Sequence, residues 1–340
     1  MTAQQLKASI LQLAIQGKLV PHNPADEPAS ILLKRIKAEK DALVKAGKLK
    51  KDKHESVITR SEDGRYLEMK DGKTTDITDE IPFDIPESWE WVRLGFIISL
   101  ISGQDFPPSG YNDRQNGIPY ITGASNMDQG KLIVNRWTTS PSSIALQGDL
   151  LITCKGAGVG KMALMCIPQA HVARQIMAIR PFCGVNNRFI GMFIQGNLSS
   201  VRKQMNGLIP GISRDVMLNI LFPLPPLEEQ NRIVAKIEEL LPHIEEYGKA
   251  ETALSTLNAE LPEQLKKSIL QWAIQGRLAP QDPNDEPASE LLKRIKAEKA
   301  ALIKSGELKK EKPLPPITED EIPFDIPDNW AVSRIGDCLT

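Results

Sequence analysis

A glycine-rich segment is the most prominent candidate for chemistry in this sequence. It reads Lys155-Gly-Ala-Gly-Val-Gly-Lys161 and is similar to loops that hold nucleotide phosphates. The phosphate-loop pattern requires a glycine where Lys155 stands, and a serine or threonine for Mg²⁺ where Met162 stands. We therefore expect a tight hairpin instead of a nucleotide site. Such a hairpin could present Lys155, Lys161 and several backbone N–H groups to a DNA phosphate.

Residues that could support other enzymatic reactions are scattered. The sequence shows no Ser–His–Asp set, no paired histidine ligands and no carboxylate cluster with an adjacent lysine, as nucleases have. A methyltransferase motif of Asn or Asp, two prolines and an aromatic residue is not matched by Pro107-Pro108 or by Pro225-Pro226. Taken together, these patterns favour a binding protein over an enzyme.

The histidines and cysteines lack the spacing of metal ligands. We expect the histidines to be surface or core residues, and the cysteines to be free thiols that lie mostly in the core. They are His22, His54, His171, His243, Cys154, Cys166, Cys183 and Cys338.

Length and composition indicate a soluble protein of about two domains. The chain has 340 residues, 41% of them hydrophobic, and no apolar run approaches the roughly 18 residues of a membrane span. The first residues do not form a basic region followed by an apolar block, so we expect a cytoplasmic location without membrane association.

Charge is segregated along the chain although the formal net charge is only −1. Residues 90–225 contain twelve Lys or Arg against six Asp or Glu, whereas residues 226–262 contain three against eight. This segregation suggests a module that binds a polyanion, joined to a scaffold. The alternative is that both segments are ordinary solvated surfaces.

A long internal repeat organises the sequence. Residues 6–53 and 265–312 align without a gap and are identical at 35 of 48 positions, and residues 79–86 recur as 320–327. The layout is thus a connector, a module, a second connector and the start of a second module. Proteins with internal two-fold symmetry commonly meet two-fold symmetric partners such as duplex DNA.

The pattern predicts a mixed α/β recognition domain, a long helical spacer of coiled-coil character and a helical N-terminal repeat. In the first connector we expect helices at 3–16 and 28–46, each ended by a glycine. The linker that follows is charged; we expect a surface segment, with a hairpin at 66–73 or disorder. The predicted divisions are 1–53 for the first connector, 54–78 for the linker, 79–225 for the recognition domain, 226–279 for the spacer, 280–317 for the second connector, and 318–340 for the truncated second domain.

Within the central domain, short apolar runs separated by turn residues predict strands. They are expected at 91–94, 119–121, 149–154, 162–166 and 177–181, with helices at 187–195 and 198–205. After the prolines that end this domain, apolar residues at heptad-like spacing predict a helix over 227–275, which Pro242 and Pro262 should kink or restart. Its apolar stripe needs a partner, either the N-terminal helix of this chain or a second copy.

Three motifs carry a resemblance to a known family. They are Pro-Leu-Pro-Pro-Leu-Glu-Glu-Gln-x-x-Ile at 223–233, Lys-x-Ser-Ile-Leu-Gln-x-Ala-Ile-Gln-Gly-x-Leu in both connectors, and Ile85-Pro86 followed by Trp89 and Leu94-Gly95. On these motifs the chain resembles the specificity subunit of type I restriction–modification systems. The resemblance extends from Leu6 to about Asp337.

The resemblance implies a target recognition domain followed by a helical region that sets the distance between half-sites. It also implies partners: double-stranded DNA, methyltransferase subunits, and a restriction subunit with nuclease and translocase activity. S-adenosylmethionine, ATP and Mg²⁺ would then belong to those partners, and this chain would bind no cofactor. The sequence departs from the family because the second recognition domain breaks off after its first strand. We therefore expect a half-length subunit that either forms a homodimer on an inverted-repeat site or is inactive as a truncation.

DNA reading requires side chains that reach base edges, whereas lysines suit phosphates. The candidates for base contacts are Gln104, Arg114, Asn126, Arg174, Gln175, Ser213 and Arg214. The candidates for phosphate contacts are Lys131, Arg136, Lys155, Lys161 and Lys203. The lysine-rich run 34–53 reads as a solvated helix face and tail, with a DNA clamp as the alternative. Two other functions remain open, a helical adaptor that does not bind DNA and an enzyme with an unrecognised site.

Overall fold

The computed structural model describes residues 1–51, 55–128, 130–156, 158–198, 211–309, 312 and 314–338. The chain divides into two compact units, Met1–Lys249 and Ala250–Thr340. Among the described helices, none has the length and apolar character that crossing a bilayer requires.

The first connector forms the two predicted helices, α1 (Ala3–Ile15) and α2 (Ala29–Lys45). A capping box begins α1, since the Thr2 hydroxyl accepts from the Gln5 N–H at 3.2 Å and the Gln5 side chain accepts from the Thr2 N–H at 2.8 Å. Gly17 and Gly47 follow the two helices with φ of +71° and +68°, a conformation that glycine adopts at little cost.

The segment predicted to be a linker is a three-stranded antiparallel sheet of β1 (Ser56–Arg60), β2 (Tyr66–Lys70) and β3 (Lys73–Asp76). The hairpin predicted at 66–73 is confirmed by the pairing of Lys70 with Lys73. The prediction of a surface linker was wrong because Ile58, Tyr66 and Ile77 are buried together against Trp91, which lies in the next domain along the sequence. This apolar support comes from distant residues and is invisible in the local composition.

Two four-stranded sheets form the central lobe, in the orders β12-β11-β14-β5 and β10-β13-β6-β9. The first is antiparallel, whereas the second contains the parallel pair β13 and β6. Smaller two-stranded pairs are β15-β4 and β7-β8. The strands are β4 (Glu90–Arg93), β5 (Ile98–Ser102), β6 (Ile118–Ile121), β7 (Met127–Asp128), β8 (Lys131–Leu132), β9 (Trp137–Thr138), β10 (Ile144–Leu146), β11 (Leu150–Thr153), β12 (Met162–Leu164), β13 (Gln169–Val172), β14 (Ile176–Pro181) and β15 (Leu221–Leu224).

Helices of the lobe are α3 (Leu94–Ile97), α4 (Asn187–Gly196) and α5 (Arg214–Asn219). All five predicted strands and the helix predicted at 187–195 are present, with bounds shifted by a few residues. The sequence missed β5 because α3 and β5 share one apolar run without a turn residue between them. The helix predicted at 198–205 lies, except for its first residue, outside the described residues.

The main core joins the first connector to the lobe. Buried residues of α1 and α2, such as Ile15 and Ile36, belong to one cluster with Phe189 of α4 and Phe222 of β15. Trp89 packs edge-on against Phe189 with ring centroids 6.3 Å apart. The connector therefore folds as part of the lobe. A second, smaller core includes Ile121, Leu151 and Val172.

A single helix, α6 (Leu227–Ile274), follows the lobe for 48 residues, close to its predicted extent. In its first part Ile233, Val234 and Ile237 are buried in the main core. Pro242 and Pro262 were expected to kink or restart the helix, and neither ends it. Both prolines are exposed, so water can satisfy the carbonyl groups that lose an N–H donor.

The second unit contains the end of α6, then α7 (Ala288–Ser305) and α8 (Ile335–Cys338). It repeats a contact of the first unit: an added Cβ at Gly17 would collide with Pro86, and one at Gly276 would collide with Pro327. Each glycine also lies against a tryptophan, Trp89 and Trp330 respectively. The two copies of the repeat thus fold alike locally.

Identical residues of the two copies differ in burial. Leu11 is 5% exposed and its counterpart Leu270 is 56% exposed; for Ile15 and Ile274 the values are 1% and 56%. In the first copy these side chains contact the lobe, whereas in the second they lie at the surface of the unit. The second copy therefore presents an apolar face in the described residues.

Cysteine placement differs from expectation. The four cysteines are free thiols, as predicted, but only Cys154 is buried. Burial raises the pKa of the Cys154 thiol.

Candidate nucleic-acid interface

Several loops emerge at one end of the lobe because of the strand register. Thr153 at the end of β11 pairs with Ile176 at the start of β14, and Ser102 at the end of β5 pairs with Met177. The second sheet is attached to the same end, since Val172 pairs with Ile121 and the Ala173 N–H donates to the Ile121 carbonyl at 2.9 Å. We call the described residues of 103–106, 122–126, 154–161 and 173–175 the loop face.

The glycine-rich segment forms the predicted hairpin between β11 and β12. The Lys161 N–H donates to the Gly158 carbonyl at 3.0 Å, and the Thr153 N–H donates to the Lys161 carbonyl at 2.9 Å. Residue 160 has φ of +91°, a conformation that favours glycine over other residues. Lys155 and Lys161 are both exposed on this hairpin.

Three further predicted residues, Gln104, Arg174 and Gln175, are exposed on the loop face. Asp105 holds Arg174 in place: the Asp105 carboxylate accepts from the Arg174 backbone N–H at 2.9 Å and lies 3.2 Å from Nε of its guanidinium. The Gln175 side-chain oxygen lies beside Gly123, so a Cβ there would come within 3.0 Å. The structure therefore brings Gln104, Lys155, Lys161, Arg174 and Gln175 to one surface.

Ser213 and Arg214 lie beside this surface, but their side chains serve the fold. The Ile212 N–H donates to the Cys154 carbonyl at 2.8 Å, which fixes this segment next to the hairpin. Ser213 caps α5 by accepting from the Val216 N–H at 3.1 Å. Arg214 Nη1 donates to the Leu100 carbonyl at 2.6 Å, at the edge of β5.

The structure corrects the prediction that Asn126 contacts a base. Asn126 is 0% exposed, and its Oδ1 accepts from the N–H groups of Thr122 and Gly123 at 2.9 and 3.2 Å. Its Nδ2 donates to the Ile133 carbonyl at 2.8 Å. The amide is thus used to close its own loop, a common role for asparagine in turns that the sequence did not distinguish from base reading.

Arg114 and Arg136 lie outside the loop face, on the segments that flank the start of β6, where Ile118 pairs with Thr138. Arg114 is exposed, and the Arg136 guanidinium lies 4.7 Å from the Tyr111 ring centroid. Lys131 is exposed in the β7–β8 hairpin, which follows directly on the loop face. Lys203 lies outside the described residues.

The described lysines of the run 34–53 differ in exposure, so they do not form one continuous basic surface. Lys40 is buried, with its ammonium 3.4 Å from Glu55 and 4.6 Å from the Phe96 ring centroid. Lys50 and Lys51 line a cleft of about 850 Å³ between α2, the β1–β3 sheet and β5. Other lysines of the run, such as Lys34 and Lys37, are exposed on α2.

Sequence reasoning missed residues that hold the loop face in place. Gly103 is one, because an added Cβ would collide with the Ala173 carbonyl oxygen. His171 is another: it is fully buried under the Gln104 loop, and burial lowers the pKa of its imidazole. Sequence reasoning also missed Asp149, which lies at the opposite end of β11 and accepts two hydrogen bonds from Arg180 at 2.9 and 2.7 Å. The only local signals were a glycine directly after β5 and a histidine within the apolar strand β13.

The charges of the surface are suited to a polyanion. Lys155, Lys161 and Arg174 are exposed there, and Asp105 is the acidic residue that faces Arg174. Within the described ranges, no group of three or more His, Cys, Asp or Glu residues is arranged to hold a metal ion. The arrangement can therefore bind a phosphate backbone and offer amide groups to base edges.

Residues 86–253 match the type I restriction modification DNA specificity domain. These residues, about half of the chain, thus carry the domain of the family that the motifs indicated. The chain is 34% identical over 398 residues to the type I restriction enzyme EcoAI specificity subunit of Escherichia coli, covering 98% of this chain and 62% of the relative. It is also 34% identical over 400 residues to the EcoEI specificity subunit of the same organism, covering 99% of this chain and 62% of that relative.

Among solved structures, the HsdS subunit from Thermoanaerobacter tengcongensis aligns with a TM-score of 0.45 and 22% identity, covering 81% of this chain and 59% of that one. The chain thus spans about 62% of the length of the two curated relatives.

Proposed function

We propose that this chain reads DNA sequence for a type I restriction–modification complex and performs no chemistry itself. The observation that carries the proposal is the loop face, where Lys155, Lys161 and Arg174 are exposed beside Gln104 and Gln175 within the specificity domain. Lysine and arginine would bind phosphates, and the two glutamines would reach base edges.

The proposal includes partner proteins, which would supply the reactions. The EcoAI and EcoEI relatives are subunits of type I restriction enzymes by name. In the proposed complex, methyltransferase subunits would bind S-adenosylmethionine, and a restriction subunit would use ATP and Mg²⁺. This chain would supply the surface that binds DNA and the surfaces on which those subunits assemble.

A mobility-shift titration of the full chain with a random-sequence duplex of about 40 bp tests DNA binding. We expect binding whose logarithmic affinity falls linearly with the logarithm of salt concentration, since phosphate contacts release counterions. A helical adaptor would leave the duplex unshifted at every salt concentration. An enzyme would convert a substrate without partner subunits, and either result would contradict the proposal.

We further propose that two copies pair through α6, with coiled-coil character. Leu254, Leu257, Leu261 and Leu265 are each more than half exposed, and their spacing of three and four residues places them on one face of the helix. Exposing an apolar stripe of this kind to water is unfavourable, and the α6 helix of a second copy could cover it. Two copies would then present two loop faces to an inverted-repeat site.

Light scattering on a size-exclusion column measures this association. We expect a dimer for the native chain and a monomer for the variant Leu257→Glu with Leu261→Glu, since two buried charges would oppose pairing. The matched control is Thr256→Glu with Ala259→Glu, which adds the same charge to exposed positions on another face and should remain a dimer. A native chain that stays monomeric at all concentrations rules out pairing.

A further inference from the structure

His171 lies fully buried in β13, beneath the loop that carries Gln104. Its Nε2 is 2.7 Å from the Gln104 carbonyl oxygen. A carbonyl only accepts, so Nε2 carries the hydrogen. Its Nδ1 accepts from the backbone N–H groups of Ser142 and Ser143, at 3.3 and 3.2 Å. Both ring nitrogens are therefore satisfied only when the imidazole is neutral.

The ring is enclosed by aromatic side chains. Phe106 stacks on it with centroids 4.3 Å apart, and Tyr120 of β6 lies 5.0 Å away. The titratable groups that face His171 are Asp105 from the loop and Tyr120 from β6, while the segment before β10 contributes only the serines. Burial lowers the pKa of His171, and the Gln104 carbonyl and Asp105 oppose this less strongly.

His171 and Gln104 are also linked through Ser142. The Ser142 hydroxyl donates to the Gln104 side-chain Oε1 at 3.0 Å. The imidazole thus holds the Gln104 backbone through Nε2–H and the Ser142 backbone through Nδ1, and Ser142 in turn orients the Gln104 amide. Because an amide is planar, fixing its oxygen also fixes the direction of its two N–H donors.

We propose that His171 is a positioning residue for base recognition, which in its neutral form fixes the Gln104 amide on the loop face. This inference rests on the proposed function. A proton on Nδ1 would oppose the N–H groups of Ser142 and Ser143, so both hydrogen bonds would be lost and Ser142 would release Gln104. Sequence preference at the base that Gln104 contacts would then decline in acid, while phosphate binding would remain.

Selection from a randomised duplex library of about 30 bp, followed by sequencing, tests the proposal on the full chain. Gln104→Ala identifies the base position that Gln104 reads. We expect His171→Phe, which keeps an aromatic ring, to reduce the preference at that position about fivefold or more and to spare the other positions. Because burial lowers the pKa of His171, the pH must fall well below the ordinary histidine range. Lowering it from about 8 to about 4.5 should do the same to the native chain and should not affect the position further in His171→Phe.

Two further variants provide a second test and a control. Ser142→Ala removes only an exposed hydroxyl and should reduce preference at the same position, even if His171→Phe folds poorly. His243→Phe changes an exposed histidine of α6 and should leave every position intact. Equal loss at all positions in Ser142→Ala, or no change at the Gln104 position in both Ser142→Ala and His171→Phe, overturns the inference. A native chain that enriches no sequence at all overturns the proposed function itself.

Discussion

Replacing Lys155, Lys161 and Arg174 together by glutamine is expected to weaken duplex binding by roughly several hundredfold at about 0.1 M salt. Each phosphate contact contributes about 0.9 to the slope of log affinity against log salt, so losing three flattens the slope by about 2.7. The three side chains are exposed on the loop face, and Asp105 already orients Arg174. A mobility-shift series between about 0.05 and about 0.4 M salt measures both the affinity and the slope.

The matched control removes three exposed lysines from α2, as Lys34→Gln, Lys37→Gln and Lys45→Gln. The net charge changes equally, so general electrostatic attraction is the same in both variants. We expect the control to keep most of its affinity and nearly the native slope. If the control loses as much as the loop-face variant, DNA binds the lysine-rich run as well, and the loop face is not the principal contact.

Arg93→Met is expected to lower the free energy of unfolding of the β1–β3 sheet by about 3 kcal/mol. Arg93 Nε and Nη2 lie 3.0 and 2.7 Å from the two Glu68 oxygens, and Nη2 is also 2.9 Å from Glu80. The Ser56 hydroxyl donates to the same Glu68 carboxylate. Without Arg93, the nearly buried Glu68 would keep its charge but lose its partner. Native-state hydrogen exchange in residues 56–76 measures the loss.

Two variants separate the buried pair from surface effects. Arg65→Met breaks the exposed pair with Asp63 and should cost less than about 1 kcal/mol. Arg93→Met combined with Glu68→Leu should recover part of the stability, since no unpaired carboxylate remains. If the single and double variants are equally unstable, lost packing of Arg93 explains the effect and the ion pair does not.

The same pair makes stability depend on pH. Hydrogen bonds from Arg93 hold the pKa of Glu68 below its ordinary value of 4.5. Stabilisation from a carboxylate with a lowered pKa is complete above the unfolded value and is lost as pH falls through the folded one. Between about pH 6 and about pH 3, the native sheet should therefore lose more stability than Arg93→Met.

Local sequence signals were sufficient for elements that one segment specifies alone. The glycines after α1 and α2, and the glycines between β11 and β12, mark their ends through backbone conformations that need no distant contact. The length of α6 likewise follows from its own apolar spacing. The sheet of β1, β2 and β3 was missed because its core depends on Trp91, which the local sequence does not reveal.

Site prediction was limited in the same way by long-range pairing. Which loops share a surface depends on register, above all on the parallel pairing of β13 with β6, which no local pattern encodes. Gln104 and Arg174 therefore meet through Asp105, whereas Arg114, chosen on the same chemical grounds, lies near the other end of β6. Residue type also failed for Asn126, whose amide is as suitable for closing a turn as for reading adenine.

The two prolines inside α6 make its stiffness uneven. Proline has no N–H, so the carbonyl groups of Glu238 and Asn258, four residues before Pro242 and Pro262, lack the backbone donor that other carbonyls of the helix receive. Bending at these places breaks one hydrogen bond fewer than bending elsewhere. The helix therefore has two positions, about five and a half turns apart, where its axis can bend at a lower energetic cost than elsewhere.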